Sequence, residues 1–131
     1  MARAVIETLE GRQLLHAGHD HLSVKVDFQK VTSPVFPGYV ADVGQAYGDR
    51  NGYTYGWSAN NTSSARDRNA SNSPDERYDT WVKTAGNVWE IALPNDTYDV
   101  RVVAGDPTTF DSYYKVNLEG LLAIDAQPTS A

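Results

Sequence analysis

The chain has 131 residues, no cysteine and a formal net charge of −6. This length fits one domain with its own core, while the acidic balance disfavours nucleic acid as a partner, because phosphate binding needs a basic surface. The lack of cysteine excludes disulfides, thiolate catalysis and cysteine zinc sites, and no apolar run reaches the roughly 18 residues that a transmembrane helix needs.

Residues 1–21 differ in composition from the rest of the chain. Their apolar residues follow a broken helical pattern that Gly11 interrupts, without the continuous apolar region of a secretory signal peptide. We therefore predict a leader or linker segment at 1–21, followed by a folded module at 22–131; the alternative for the first segment is a frayed amphipathic helix. The three histidines between residues 16 and 21 favour a solvated linker over a metal site, because nothing fixes their geometry.

Alternation of apolar and polar residues with period two predicts a strand at 22–28. The apolar residues that would share one face of it are Leu22, Val24, Val26 and Phe28. Prolines at positions 34 and 37 then break the regularity, and a short extended piece at 38–42 leads into the longest loop.

The second half of the chain predicts a hairpin and a second pair of strands. Apolar and polar residues alternate in 88–93 and in 98–103, and a Pro-Asn-Asp-Thr turn separates the two segments. A further strand at 114–118 is predicted to turn at Glu119 and Gly120 into a strand at 121–124. With a short strand at 80–83, about seven strands are predicted. This number and spacing are typical of an all-β protein, an antiparallel β-sandwich or jelly roll.

The stretch 48–79 is unusually long for a loop of a compact domain, and such loops are functional or disordered. It contains three aromatic residues within five positions, and aromatic residues are rare in disordered segments. It also contains four arginines and no lysine, which favours fixed pairing to carboxylates. We predict a structured excursion from the β scaffold.

Within this stretch, Tyr53, Tyr55 and Trp57 would lie on one face of an extended segment. A flat aromatic face suits the C–H face of a sugar ring, and the hydroxyl and indole N–H groups can bond sugar hydroxyls. The same three side chains could equally pack inward as core. Both interpretations stay open at this point.

The charged residues of the stretch also have two interpretations. The motif Arg66-Asp67-Arg68-Asn69 could interlock with the motif Glu76-Arg77-Tyr78-Asp79 through internal salt bridges that stiffen the loop, which we favour. Alternatively, these groups could bond sugar hydroxyls or a uronate carboxylate directly.

Asp106 and Asp111 flank a second, tight loop. Carboxylates in loops make hard oxygen sites, so calcium is the candidate ion there, and no other cofactor is predicted. The structural alternative, favoured for Asp111, is a turn capped by the carboxylate. Glycoside hydrolysis by this pair is disfavoured, because no apolar pocket or second catalytic element is recognisable.

Several segments of the chain belong together by their order and spacing. They are VDFQ at 26–29, GYTYGW at 52–57, RDRN at 66–69, RYDT at 77–80, WEIA at 89–92, VVAGDP at 102–107 and NLEG at 117–120. In combination they resemble a malectin-like, galactose-binding-like carbohydrate-binding module of bacterial multidomain secreted proteins. The segment IETLEGRQLLHA at 6–17 resembles the LE-x-R-x-LL-x-A leader of surface or exported proteins of planctomycete-type bacteria.

This resemblance implies an extracellular or cell-surface location, a polysaccharide or glycan as partner, further domains in a longer polypeptide and no membrane insertion. Modules of this kind continue beyond the Pro-Thr-Ser segment at 128–130, so the resemblance also implies a jelly roll that is incomplete at its C-terminus. The expected function is non-catalytic carbohydrate binding. The alternative is a structural or adhesion spacer without a sugar site, and an enzyme is least expected, for lack of a nucleophile, base and orienting group at recognisable spacing.

The predicted ligand-binding residues combine the aromatic face with the charged groups of the two loops. They are Tyr53, Tyr55, Trp57, Arg66, Asp67, Arg68, Arg77, Asp79 and Asp106, with Asp106 and Asp111 as the metal ligands.

Overall fold

The computed structural model describes residues 2–8, 22–109 and 113–128. In these residues it contains strands and two single-turn 3-10 helices, at Thr62–Ser64 and Glu76–Tyr78. The strands are β1 Ala2–Thr8, β2 Ser23–Phe28, β3 Val40–Asp42, β4 Gly48–Arg50, β5 Tyr53–Trp57, β6 Ala65–Asp67, β7 Thr80–Val82, β8 Trp89–Ile91, β9 Tyr98–Ala104, β10 Tyr113–Leu118 and β11 Leu121–Pro128. The described part of the chain is therefore all-β, as predicted, and it includes no helix long and apolar enough to cross a membrane.

The strands form four sheets, in the orders β3-β2-β1-β9, β4-β5-β8, β6-β7 and β10-β11. Pairing is antiparallel, except that β2 and β3 run parallel. The hairpin of β10 and β11 turns at Glu119 and Gly120, which both adopt positive φ, 48° and 79°. Two consecutive positive φ angles are the geometry of a tight two-residue hairpin turn, so this predicted turn is confirmed.

The N-terminal residues are part of the fold. Strand β1 lies between β2 and β9 and pairs with both, in register from Arg3 opposite Asp27 to Glu7 opposite Ser23 on one side. The prediction that residues 1–21 stand apart from the folded module, as a leader or a frayed helix, is therefore wrong for 2–8. Its β-branched residues favour a strand, and Ile6 is buried. Residues 9–21, with the three histidines, lie outside the described residues.

The core lies where three of the sheets meet. Its buried members are Val24, Val26 and Phe28 of β2, Trp57 of β5, Ala65 of β6 and Val82 of β7. Alternation explains the contribution of β2, because its apolar residues point inward while Ser23 and Lys25 are exposed. Trp89, Ile91 and Leu93 pack against this cluster from one side, as their spacing predicted.

The predicted hairpin of 88–93 and 98–103 is wrong. Strand β8 pairs with β5, Trp89 opposite Trp57, whereas β9 pairs with β1. The intervening Pro-Asn-Asp-Thr segment therefore carries the chain from one sheet to another. Local alternation cannot distinguish a hairpin turn from such a crossover, because both place a strand on each side of a turn.

Gly44 allows two loops to approach closely. Its φ is +89°, and a Cβ atom built on it would lie 2.6 Å from the carbonyl oxygen of Asn61. We expect Gly44→Ala to lower the free energy of unfolding by about 1–3 kcal/mol, measured by urea denaturation, because strain and a backbone clash add. Gly38→Ala is the matched control, since Gly38 has φ +80° and open space around it. If the two variants lost the same free energy of unfolding, a clash between the new Cβ atom and the backbone of Asn61 would be contradicted.

Candidate functional site

The predicted aromatic face lies inside the protein. Tyr55 is 0% exposed and Trp57 3%, and the half-buried Tyr53 packs against the core cluster. The sugar-stacking interpretation is therefore wrong for Tyr55 and Trp57, and the core interpretation is correct. Strand β5 can be buried because it lies between β4 and β8, which satisfy its backbone groups.

The indole groups of this core converge on one buried carboxylate. Asp42, which is 1% exposed, accepts hydrogen bonds from Trp57 Nε1 and Trp89 Nε1, each at 2.8 Å, one on each carboxylate oxygen. Its Oδ1 also accepts the backbone N–H of Gly44 at 2.8 Å. Phe28 lies edge-on to both indole rings, with centroid distances of 5.9 and 5.4 Å. The polar atoms of both tryptophans are thus committed to internal bonds.

The tyrosine hydroxyl of β5 is committed in the same way. Tyr55 Oη donates to the carbonyl of Ala41 at 2.9 Å and accepts from Asn51 Nδ2 at 2.7 Å. Arg50 lies over the ring, with its Cζ atom 5.1 Å from the centroid. Burial raises the pKa of Tyr55 above its ordinary value, although the Asn51 hydrogen bond opposes that effect. These contacts hold Tyr55 in place and leave its hydroxyl no outward role.

The arginines of the long stretch do not pair with its neighbouring acidic motif as predicted. Arg66 donates to the carbonyls of Ser63 and Ala65, and Arg77 pairs with Asp75, two residues before it. Arg68 forms an ion pair with Asp106, which lies outside the stretch. Strands β6 and β7 nevertheless bring the backbones of the two motifs together, with Asp67 opposite Thr80.

Asp106 anchors the long stretch to the loop after β9. Its Oδ2 accepts from Arg68 Nη2 at 2.7 Å, and its Oδ1 accepts from the N–H and hydroxyl of Thr108 at 3.0 and 2.8 Å. Arg68 in turn lies over Trp81, with its Cζ atom 5.0 Å from the ring centroid. Because the Arg68 guanidinium already neutralises Asp106, and Asp106 is not part of any group of three possible metal ligands among the described residues, the predicted calcium site at Asp106 is not supported by this geometry. Asp111 lies outside the described residues.

The protonation of Asp106 is coupled to folding. Burial alone would raise its pKa, but the Arg68 guanidinium and the Thr108 donors outweigh burial and hold the pKa well below its usual range. A carboxyl whose pKa falls on folding stabilises the folded state above its unfolded pKa of about 4, and that contribution is lost as the pH falls towards the folded value.

We therefore expect wild type to exceed Asp106→Asn in urea midpoint at neutral pH, and the difference to shrink below about pH 4. Urea titrations of both proteins at neutral and acidic pH would measure it. Asp99→Asn, which changes an exposed aspartate of β9, is the control and should show no such convergence. A difference in urea midpoint that does not depend on pH would contradict the lowered pKa of Asp106 in the folded protein.

Three carboxylates meet where β6 ends and the second 3-10 helix begins and ends. Asp67 is the last residue of β6, Glu76 opens the helix and Asp79 caps its C-terminus. One oxygen of each lies within 4.8 Å of the others. Asp79 is 2% exposed, while the other two are half-buried. Asp67 and Asp79 are among the predicted ligand-binding residues, whereas Glu76 is predicted only as part of a salt-bridge motif, although all three acids lie within a span of 13 residues.

Such a cluster is electrostatically costly. Two full negative charges at this separation repel by about 3 kcal/mol at an effective dielectric constant of 20. Burial raises the pKa of Glu76, and the charges of Asp79 and Asp67 raise it further. The cluster therefore favours a bound positive species, a proton or a cation.

A second group of side chains surrounds Arg77. Its Cζ atom lies 4.4 Å from the ring centroid of Phe36, 5.9 Å from that of Tyr39 and 5.8 Å from that of Tyr78. Asp75 holds the guanidinium through both of its carboxylate oxygens. All three rings are half-buried, so each keeps part of its surface in solvent. Of the predicted ligand residues, only Arg77 belongs to this group, which we call the Arg77 aromatic group.

Comparisons with known proteins identify no relative of this chain. No family model matches it, and neither the curated proteins nor the solved structures include a match.

Proposed function

We propose that the chain is a non-catalytic structural module, a spacer or adhesion-type domain of a longer exported polypeptide. The observation that carries this proposal is the burial of the β5 aromatic residues, because Tyr55 and Trp57 use their polar atoms on Ala41 and Asp42. A sugar platform would need those atoms and ring faces in solvent. The core shared by three sheets supports a β-sandwich, and the jelly-roll topology and extracellular or cell-surface setting rest on the malectin-like resemblance.

The long stretch also fits a structural role. Arg68 ties it to Asp106, and Asn72 donates to the carbonyl of Pro107 at 2.9 Å. Within it, β6 pairs with β7. A loop bound at several points in this way resists deformation, which suits a spacer that transmits force or sets distance.

Carbohydrate binding remains the second candidate, now at a different surface. The Arg77 aromatic group supports it, because partly exposed rings and a fixed guanidinium are the groups that stack on sugars and bond their hydroxyls or carboxylates. Phe36 is the ring closest to Arg77 and would be the stacking residue. Polysaccharide or glycan would then be the partner, as the resemblance implies.

Affinity-gel electrophoresis and a glycan array distinguish the two candidates. The proposed spacer is expected to migrate equally in gels with and without polysaccharide and to bind no glycan. Phe36→Ala tests the second candidate, with Tyr47→Ala as the control, because Tyr47 is an exposed aromatic residue outside the group.

Retention of the wild type that Phe36→Ala abolishes and Tyr47→Ala preserves would overturn the spacer and establish the Arg77 aromatic group as a sugar site. Both variants must keep the far-UV circular dichroism spectrum of wild type for this comparison to hold. Retention that neither variant alters would place a sugar elsewhere and contradict both proposals.

A further inference from the structure

We propose that Asp67, Glu76 and Asp79 form a calcium site that fastens the second 3-10 helix to the end of β6. The site is separate from the Arg77 aromatic group and from the Asp106 loop. It requires neither the spacer function nor the sugar-binding function, so it can fail or hold independently of both.

The first support is that hydrogen bonds hold the two aspartates of the cluster in place. Asp67 uses both oxygens, since Oδ2 accepts from Ser33 Oγ at 2.6 Å and Oδ1 from the N–H of Asn69 at 3.0 Å. Asp79 Oδ2 accepts from the N–H of Ala70 at 3.0 Å. These bonds fix the orientation of both aspartates, and hydrogen-bonded carboxylates are the usual arrangement behind metal ligands.

The second support is independent of the clustering. Asp79 Oδ1 and Glu76 Oε2 are buried and have no hydrogen-bond partner among the described residues. Asp79 as a whole residue is only 2% exposed to solvent. Buried carboxylate oxygens normally have a partner, because leaving one without a donor is costly. A cation bound between them supplies what both oxygens lack.

The third support is that the nearby arginines do not compensate the cluster. Arg68 is engaged with Asp106 and Arg77 with Asp75, while Arg66 donates to backbone carbonyls. Among the described residues, no ion pair joins an arginine or lysine to any of the three clustered carboxylates. These arginines therefore do not neutralise the negative charge of the cluster, and a bound cation would do so.

The donor set selects the ion. All three ligands are carboxylate oxygens, which favour calcium or magnesium over zinc, because zinc in proteins prefers nitrogen and sulfur. Oxygens that share one calcium ion at about 2.3–2.6 Å can lie up to about 5 Å apart, whereas magnesium at about 2.0–2.1 Å limits them to about 4 Å. The oxygen separations, all within 4.8 Å, lie inside the range that one calcium ion can span. Water would complete its six to eight ligands.

The test uses the whole chain, freed of metal with a chelator. Isothermal titration with calcium chloride is expected to show one site per chain, and thermal unfolding in millimolar calcium is expected to shift upward by several degrees. Magnesium chloride at the same concentration is expected to give a clearly smaller shift. Terbium luminescence, sensitised by the tryptophans, provides a readout that does not depend on stability.

Asp79→Asn and Glu76→Gln remove one charge each with almost no change in volume, and each is expected to weaken calcium binding at least about tenfold. Glu90→Gln is the matched control, because Glu90 is an exposed acid of β8 outside the cluster, and it should bind as wild type does. Should a variant fail to fold, the wild-type titration alone decides the question.

Three results would overturn the site. The first is a wild-type chain that shows neither binding heat nor a shift in unfolding temperature with calcium, which would mean that a shared proton alone balances the cluster. The second is calcium binding that Glu76→Gln and Asp79→Asn leave unchanged. The third is a magnesium shift as large as the calcium shift, which would remove the selectivity argued from the oxygen separations.

Discussion

Replacing Asp42 by alanine is expected to lower the free energy of unfolding by about 3–5 kcal/mol, a large share of the stability of a domain this size. The substitution leaves the indole N–H groups of Trp57 and Trp89, and the N–H of Gly44, without their acceptor. Each unsatisfied buried donor costs about 1–3 kcal/mol. Trp89 is only half-buried, so water can reach part of the vacated space, which keeps the total near the lower end of the sum.

Asp42→Asn separates geometry from charge. The amide keeps one acceptor oxygen and turns an NH₂ group towards the other indole, so about half of the donors stay satisfied. We expect a smaller loss than for alanine. Urea denaturation followed by tryptophan fluorescence measures both variants, since two of the affected groups are tryptophans.

The control for Asp42 is Asp99→Ala, which removes an exposed carboxylate of β9 and should change the free energy of unfolding by less than about 0.5 kcal/mol. A double-mutant cycle of Asp42→Asn with Trp57→Phe adds a direct measure of the bond. Additive losses in that cycle would contradict an energetic coupling between the carboxylate and the indole.

The all-β class and the face of β2 were predictable because they depend only on local alternation. Val24, Val26 and Phe28 repeat every second residue, and a strand places such residues on one side. Asp27 shows where this reasoning ends, since it lies on the opposite face and is nevertheless buried. Strand β2 is inside a sheet with structure on both faces, which a polar residue in an alternating pattern does not reveal.

A local signal for β4 and β5 was present in the sequence. Asn51 and Gly52 separate these strands and have positive φ angles, 52° and 80°, which is the two-residue hairpin geometry that Asn-Gly favours. The length and polarity of the stretch 48–79 instead favour an excursion from the β scaffold. Weighing the Asn-Gly pair would have placed Tyr53–Trp57 in a strand and favoured the core interpretation of its aromatic residues.

The two charged centres could not be predicted from sequence spacing. Asp42 meets Trp57 and Trp89, which are 15 and 47 residues away along the chain. The carboxylate cluster likewise depends on the pairing of β6 with β7, which brings Asp67 opposite Thr80 and hence close to Asp79. Long-range register decides both contacts, and composition carries no information about it.

Trp57→Ala is expected to lower the free energy of unfolding by about 3–5 kcal/mol, because it empties a large volume in the core. Trp57 is 3% exposed, contacts Phe28 edge-on and donates to Asp42. Its removal therefore also leaves one oxygen of a buried carboxylate with fewer donors, which adds to the cavity cost. Thermal and urea unfolding should show a lower midpoint for the whole chain.

This variant also tests how β5 relates to function. If β5 is core, Trp57→Ala reduces stability whether or not a ligand is present, and any loss of glycan binding follows the loss of folded protein. Tyr47→Ala is the matched control, since that aromatic side chain is 45% exposed and its removal should cost less than about 1 kcal/mol. A Trp57→Ala protein that unfolds at the wild-type midpoint and yet loses binding to a polysaccharide would contradict the core assignment. It would return β5 to the role of a sugar platform, because only a side chain that is free of the core can be removed without a stability cost.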